Sequence, residues 1–504
     1  MVTYADLLTQ DQVERVHEAA LEILEQVGLL VRNEKARLYL KRHGCQLDAD
    51  SEIVRFPRRI VEEFRQLFPP KFTFYGRDPK YDRTLPDDRP VIVTGSSAPN
   101  IIDPVTGEER RSYSDDIARI AYLVNEMSGY DVFSISTLAE DAPPGYFTLA
   151  RLYPAVKNCL KPIRSNAPTK ADAEQLIRLG SIVAGSEAAY YERPFITTHF
   201  CPVVSPLTMD YDSTELTIFF CEKKLPVYPS IVPNAGLTSP LTLAGTVAQA
   251  CAEFLAIGSL MQMVQPGTPL IFSTLPTVTD MRSGAYASGG IECGMLHMAC
   301  AQMARFYKVP CGGYIGLTNS KLNDAQAGYE TGMSVVAGFL GGADMFNMAG
   351  LLDALKAFDF GKAMTDNEIA LMLKRLARGM EFSEETLSLD VIKEVGPAGN
   401  FITHDQTVRL MKVTGLLTEI SDRDTRDGWM MRGALDTQAR ALERVREILS
   451  FDNPAVFSPE IDARIRAEFP GLVRGDATLP EGWKRVSRDE AGRPARRERR
   501  HMRG

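Results

Sequence analysis

The chain has 504 residues, 44% apolar and 24% charged, with a formal net charge of −8. That length can bury a large core, as roughly two to four domains or one enlarged barrel. The globular-type composition excludes a disordered or fibrous chain, and the acidic balance gives no electrostatic footprint for nucleic acid. Eight cysteines without a CxxC pair point to buried thiols in a reducing cytoplasm rather than a disulfide framework. The first dozen residues carry acids and no apolar run, so no signal peptide is expected.

In chain order, Val13, Val16, Ala20, Leu21, Leu24 and Val27 repeat at helical spacing. Thr9 and Gln12 form a capping-box start and Gly28 a stop. A polar stretch leads to Pro57, where a second helix is expected over 58–67. Segments 72–75, 91–94 and 100–103 read as strands, the last followed by a PVTG turn. Residues 1–110 are assigned to an N-terminal α/β cap.

From Ser114 the period changes. A helix leads to a short strand-like run at 131–136. Similar runs recur at 162–166, 195–200, 226–231, 269–274, 309–315 and 343–348. Each interval between them fits one helix, with 169–185 and 324–341 the clearest. Strands alternating with helices at this spacing are parallel and joined by crossovers. The expected fold is a (β/α)8 TIM-type barrel over 111–400, with its eighth strand near 389–395. A doubly wound sheet is disfavoured because no GxGxxG or GxxxxGK[ST] follows a strand. The longest apolar helix, 240–264, carries Gln249, Glu253 and Gln262, which suits a buried core helix better than a membrane span. A C-terminal helical extension over 401–475, with helices at 442–449 and 459–469, and a basic, disordered tail over 476–504 complete the expectation.

Barrel chemistry sits at the carboxyl ends of strands. Those ends are Asn166, His199, Phe200, Tyr228, Ser273, Thr274, Tyr314, Phe346 and Asn347, a set rich in aromatics and amides and poor in charge. For each, the alternative is a packed barrel residue. His297 lies within an apolar helix and reads as a core histidine. No HExxH, CxxC or GxSxG occurs and the six histidines are scattered, so neither a metal site nor a nucleophile elbow is expected. Residue chemistry alone leaves the reaction open.

Longer blocks carry more. LTNSKLNDAQAGYE from Leu317, GGADMFNMAGLLD from Gly341, TDNEI from Thr365 and GPAGNFITHDQTVRL from Gly396 resemble the trimethylamine:corrinoid methyltransferase superfamily. NIIDPVTGE from Asn100, HEAALEILEQVGLLV from His17 and SDRDTRDGW from Ser421 extend the resemblance over about residues 10–470. The resemblance implies a β/α barrel that moves a methyl group from an amine to the cobalt(I) of a separate corrinoid protein. Founding members carry pyrrolysine, whereas every position here is a standard residue. That departure points to the non-pyrrolysine branch, which acts on quaternary amines such as glycine betaine.

On that reading the cobalamin belongs to the partner, no cofactor is tightly bound here and no metal is needed. A small methylated amine is the substrate, a homo-oligomer is compatible, and neither nucleic acid nor membrane is a partner. Phe200, Tyr228, Tyr314 and Phe346 would offer aromatic faces to a quaternary ammonium. Asn166, Asn347, His199, Asn319, Lys321 or a loop-borne His404 would supply polar contacts, including a donor for any carboxylate. The rival readings are a barrel lyase or aldolase on a small anion, which needs a strand-end Lys or Glu, and a non-catalytic amine-binding subunit.

Overall fold

A computed structural model describes residues 4–48 and 50–487. It is a mixed α/β fold built on a largely parallel sheet. The parallel strands are β1 (Val91–Val93), β2 (Phe133–Ser134), β3 (Ile163–Ser165), β4 (Ile196–Val204), β5 (Val227–Ile231), β6 (Phe272–Thr274), β7 (Cys311–Gly313) and β8 (Met345–Asn347). From β2 to β8 each strand pairs with the next, and β8 pairs with β1. A parallel bridge joins Val93 to Val132, just before β2, and the Asp131 and Val132 amides donate to the Ile92 carbonyl. Helices fill the intervals, and the two clearest from sequence are Lys170–Ala184, capped by Thr169, and Ala325–Gly341, capped by Asp324.

Two expectations fail in detail. The segment expected as the eighth strand is the helix Leu389–Val395, with none of its residues buried. The parallel strand missing from the sequence count is Val91–Val93, which lies in the region assigned to the cap. Its three residues are all buried, as suits a strand covered on both faces. The polar stretch after Gly28 also hides a helix, Glu34–Arg42, capped by Asn33.

The N-terminal part joins the sheet through its own small strands. Leu29–Val31 pairs with Thr208–Met209, which folds back on the end of β4. A hairpin of Phe72–Phe74 and Arg83–Leu85 places Phe72, Phe74 and Leu85 among Val91, Val132, Tyr228, Ile271 and Met345. Most of these mark the amino ends of the parallel strands, so the hairpin seals that end with hydrocarbon. The β7 backbone runs so close to β6 that a Cβ at Gly313 would collide with the Thr274 carbonyl, and its φ of +152° also favours glycine.

The carboxyl ends are elaborated instead. Asn234–Ala235, Thr277–Asp280 and Ala285–Ala287 form a small sheet beyond β5 and β6. Leu351–Leu352 and Ala357–Asp359 pair with Asn100–Ile102 and Glu109–Arg111 beyond β8 and β1.

The helix Leu243–Val264 is long and apolar enough to cross a membrane, yet 83% of its apolar window is buried in the fold. Its Glu253 carboxylate accepts from Ser205 Oγ at 2.6 Å and from the Leu207 amide at 3.0 Å. The helix Thr437–Leu449 buries Ala441, Val445, Ile448 and Leu449 against Phe360–Ala377 and Ser114–Glu126. Residues 476–487, expected as part of the tail, dock on the fold: Asp476 pairs with Lys157 at 2.7 Å and the Val486 amide donates to Ser450 Oγ. The basic run 493–503 lies outside the described residues.

Candidate active site

The carboxyl ends of β1 to β4 converge on two buried arginines. Arg164, the middle residue of β3, is 2% exposed. Its Nε donates to Ser134 Oγ at 2.8 Å and its Nη1 to Tyr228 Oη at 3.1 Å. Its Nη2 donates to Ser96 Oγ and Tyr314 Oη, both at 3.0 Å, and its guanidinium lies 5.3 Å from the Tyr314 ring centre. Arg151 reaches in from the helix Phe147–Asn158. It donates to the Thr137 carbonyl at 3.2 Å, Asn166 Oδ1 at 3.0 Å and Ser97 Oγ at 3.0 Å.

No carboxylate among the described residues pairs with either guanidinium. Burial opposes the Arg164 charge, and the phenol oxygens of Tyr228 and Tyr314 more than offset it, so its pKa stays above the ordinary arginine value. Burial pushes the Tyr228 phenol up to about 12, so at neutral pH it offers a dipole and no charge. Arg151 is lowered by burial to about 10 and remains protonated. The pair therefore carries uncompensated positive charge. A buried charge left without a counter-ion is costly, and two of them beside one strand-end cavity mark a candidate functional site.

Between these groups lies a cavity of about 20 Å³ lined by Ser96, Ser97, Ser134, Arg151, Arg164, Asn166 and His199. Ser97 has a φ of +65°, a strained setting for a non-glycine residue. His199 Nε2 and both side-chain polar atoms of Asn347 are enclosed without a hydrogen-bond partner. Burial, then the Arg164 charge, holds the His199 pKa well below its usual 6.5. It is a neutral imidazole at physiological pH. Two larger surface hollows, of about 430 and 470 Å³, are lined by groups that largely satisfy one another, such as Arg110 with Asp116 and Arg178 with Glu468.

The trimethylamine methyltransferase (MTTB) family model matches residues 1–470. The chain belongs to this family. It is 34% identical to the glycine betaine methyltransferase of Desulfitobacterium hafniense strain Y51, over 92% of this chain and 96% of that one. It is 30% identical to the trimethylamine methyltransferase MttB of D. hafniense strain DSM 10664 / DCB-2, over 91% and 92%. The MttB of Methanosarcina thermophila is 29% identical, over 88% and 92%. The chain is a methyltransferase, and the names of these relatives carry glycine betaine and trimethylamine.

Within this methyltransferase fold the strand-end residues separate by face. His199, Tyr228, Tyr314 and Asn166 gather around the arginines; the His199 and Tyr228 rings are 5.0 Å apart and the His199 and Tyr314 rings 6.4 Å. Asn347 shares the enclosed strand ends. Phe200 and Phe346 do not join them. Side chains alternate along a strand, so Phe200, next to His199, packs on Phe220 of an outer helix. Phe346, next to Asn347, packs on Gly338 of the helix Ala325–Gly341. Tyr228, expected at a carboxyl end, is the second residue of β5 and so lies near its amino end, wholly buried and edge-on to Phe72 and Phe74, with its phenol reaching Arg164.

Asn319 is committed to a loop, accepting from the Gly289 amide and donating to the Tyr286 carbonyl, both at 2.8 Å. Lys321 lies 3.4 Å from Asp353. His404 caps the short helix Asp405–Leu410 and faces Glu394 within the same polar segment. An aromatic residue not singled out from sequence, Tyr286, hangs from the small sheet over β5 and β6, within electrostatic reach of Tyr314.

Among the described residues no lysine at a strand's carboxyl end suits Schiff-base chemistry. Lys161, lowered by burial to about 8, precedes the amino end of β3 and donates to three carbonyls, of Val124, Met127 and Tyr130. Among the described residues no cluster of three His, Cys, Asp or Glu is placed to hold a metal ion.

Tyr228→Phe removes an acceptor from the buried Arg164 guanidinium and should cost about 1.5–3 kcal/mol in urea unfolding, the scale of hydrogen bonds to charged groups. A cost below about 0.5 kcal/mol, the scale of a neutral surface change, would mean that Tyr228 does not help to hold that charge.

Proposed function

We propose that this chain moves a methyl group from a quaternary, or otherwise methylated, amine such as glycine betaine to the cobalt(I) of a separate corrinoid protein. The observation that carries the reading is the enclosed strand-end pocket. It has unpaired polar atoms and no strand-end Lys or Glu of the kind a lyase or aldolase requires, in a chain 34% identical to a glycine betaine methyltransferase. We also propose that the eight parallel strands form a closed (β/α)8 barrel. The pairing order and the Val93–Val132 bridge support it, and it places the pocket where barrels carry their chemistry.

The corrinoid supplies the nucleophile. The corrinoid stays on its partner and reaches only the mouth of the pocket. This chain's own residues bind the amine, desolvate it and fix which methyl points outward. The rings of His199, Tyr314 and Tyr286 supply apolar and π surface for the methylated nitrogen. None of them needs to donate a proton, because a quaternary nitrogen departs as a neutral amine. A tertiary amine departs well only with a proton or another electrophile on nitrogen, and the neutral His199 is a weak source of one.

With a reduced corrinoid acceptor, the enzyme should therefore demethylate glycine betaine once and stop at the tertiary amine. Turnover of trimethylamine at a comparable rate, or removal of a second methyl, would contradict this mechanism.

A further inference from the structure

We propose that Arg151 and Arg164 form a carboxylate subsite, so that the substrate is a zwitterion held carboxylate-inward with its methylated ammonium toward the mouth of the pocket. The inference rests on the methylated-amine reading above and specifies its substrate class.

A guanidinium has five N–H donors. Arg164 uses four of them, on Ser134, Tyr228, Ser96 and Tyr314. Arg151 uses three, on Thr137, Asn166 and Ser97. One donor on Arg164 and two on Arg151, one on each Nη, thus have no partner among the described residues. The two Nη donors of Arg151 form the fork that matches a carboxylate. The unpartnered His199 Nε2 lines the same cavity, whose roughly 20 Å³ suits a small polar head better than a whole quaternary amine.

Electrostatics fix the direction. An ammonium placed in this cavity would meet two cations with no intervening acid, whereas a carboxylate cancels charge that the fold leaves uncompensated. The same two cations push the ammonium away, toward Tyr286 and the mouth. A methyl must point there to be handed to a partner protein. Ser96 and Ser97 tie the two arginines to one strained turn after β1, which sets the spacing of the forks.

The test is calorimetric titration of the full-length protein, without corrinoid, using glycine betaine, its neutral carboxamide analogue and choline. Glycine betaine should bind at least about tenfold more tightly than the carboxamide, and choline more weakly still, on the scale of charge-assisted hydrogen bonds. Arg151→Gln, with its fold checked by circular dichroism, should erase most of the acid-over-amide preference, and Arg151→Lys should keep part of it. Equal binding of acid and carboxamide by the wild-type protein would overturn the carboxylate subsite and leave the methylated-amine reading standing. Binding of none of the three would overturn the methylated-amine reading and this inference with it. The wild-type comparison holds even if the Gln variant fails to fold.

Discussion

Lys362→Met should cost about 3–5 kcal/mol of folding stability, the usual penalty for removing one partner of a buried ion pair. Lys362 and Asp366 pair one helical turn apart with both side chains fully enclosed. Lys362 Nζ also donates to Thr331 Oγ1 at 3.0 Å, and Asp366 accepts from the Gly350 amide at 2.8 Å. Burial pushes the Asp366 pKa up, against the pull of Lys362, so without the lysine the carboxyl would take up a proton or remain as an unpaired charge.

The pair also holds the loop that follows β8. Ala349, Asp353, Ala354 and Leu355 there all have positive φ, a conformation that persists only where the surroundings enforce it. The variant should therefore lose methyl transfer more steeply than its residual fold would predict. Replacing both partners, as Lys362→Met with Asp366→Leu, should recover part of the stability, because no charge is then stranded. A single-variant loss below about 1 kcal/mol in denaturant unfolding would show that the pair does not bear on this loop.

Acid should destabilise the protein through His297. Its Nε2 lies 3.1 Å from the Tyr314 carbonyl, and burial lowers its pKa from 6.5 to about 4, with that carbonyl partly opposing the shift. Above pH 6.5 the ring is neutral in both the folded and unfolded chain. As pH falls below 6.5 the unfolded chain takes up a proton that the folded chain refuses, so stability drops by about 1.4 kcal/mol per pH unit. The loss ends near the folded value, since below pH 4 both states are protonated, for a total of roughly 3 kcal/mol.

Buried carboxyls with raised pKa, such as Asp344 at about 6, act in the opposite sense, so the clean readout is a difference. The stability gap between the wild type and His297→Asn should narrow as pH falls from 6.5 to 4. A constant gap over that window would mean that His297 is not held neutral.

The alternation of short apolar runs with capped helices made the parallel architecture legible, because buried parallel strands and their crossovers impose it. Val91–Val93 escaped because three apolar residues within a region of hairpins carry no mark of which sheet they join. Leu389–Val395 misled because its apolar Leu389, Val391, Ile392 and Val395 read as a short strand, although the segment is an exposed helix.

At the site, His199, Asn166 and Asn347 were legible as strand ends. Phe200 and Phe346 were not separable from them, since a shift of one residue reverses the face. Arg164 was missed because it lies inside its short strand rather than at the carboxyl end. The signal was present: it stands two residues before Asn166 and so shares its inward face. Arg151 comes from a helix, and only tertiary structure brings it to the strand ends. His404, attractive beside a glycine-rich turn, closes on its own segment.

The central claim is that the chain moves a methyl from a methylated amine to a corrinoid. It is tested most directly by following one labelled methyl group. Glycine betaine carrying carbon-13 in its N-methyl groups is incubated with the enzyme and a reduced corrinoid protein, and the products are read by NMR. The account predicts one labelled methyl on cobalt for each dimethylglycine formed, with the other two labelled methyls kept on the dimethylglycine nitrogen. Glycine betaine consumed with no labelled methyl appearing on cobalt, or a product cleaved at a carbon–carbon bond, would contradict it.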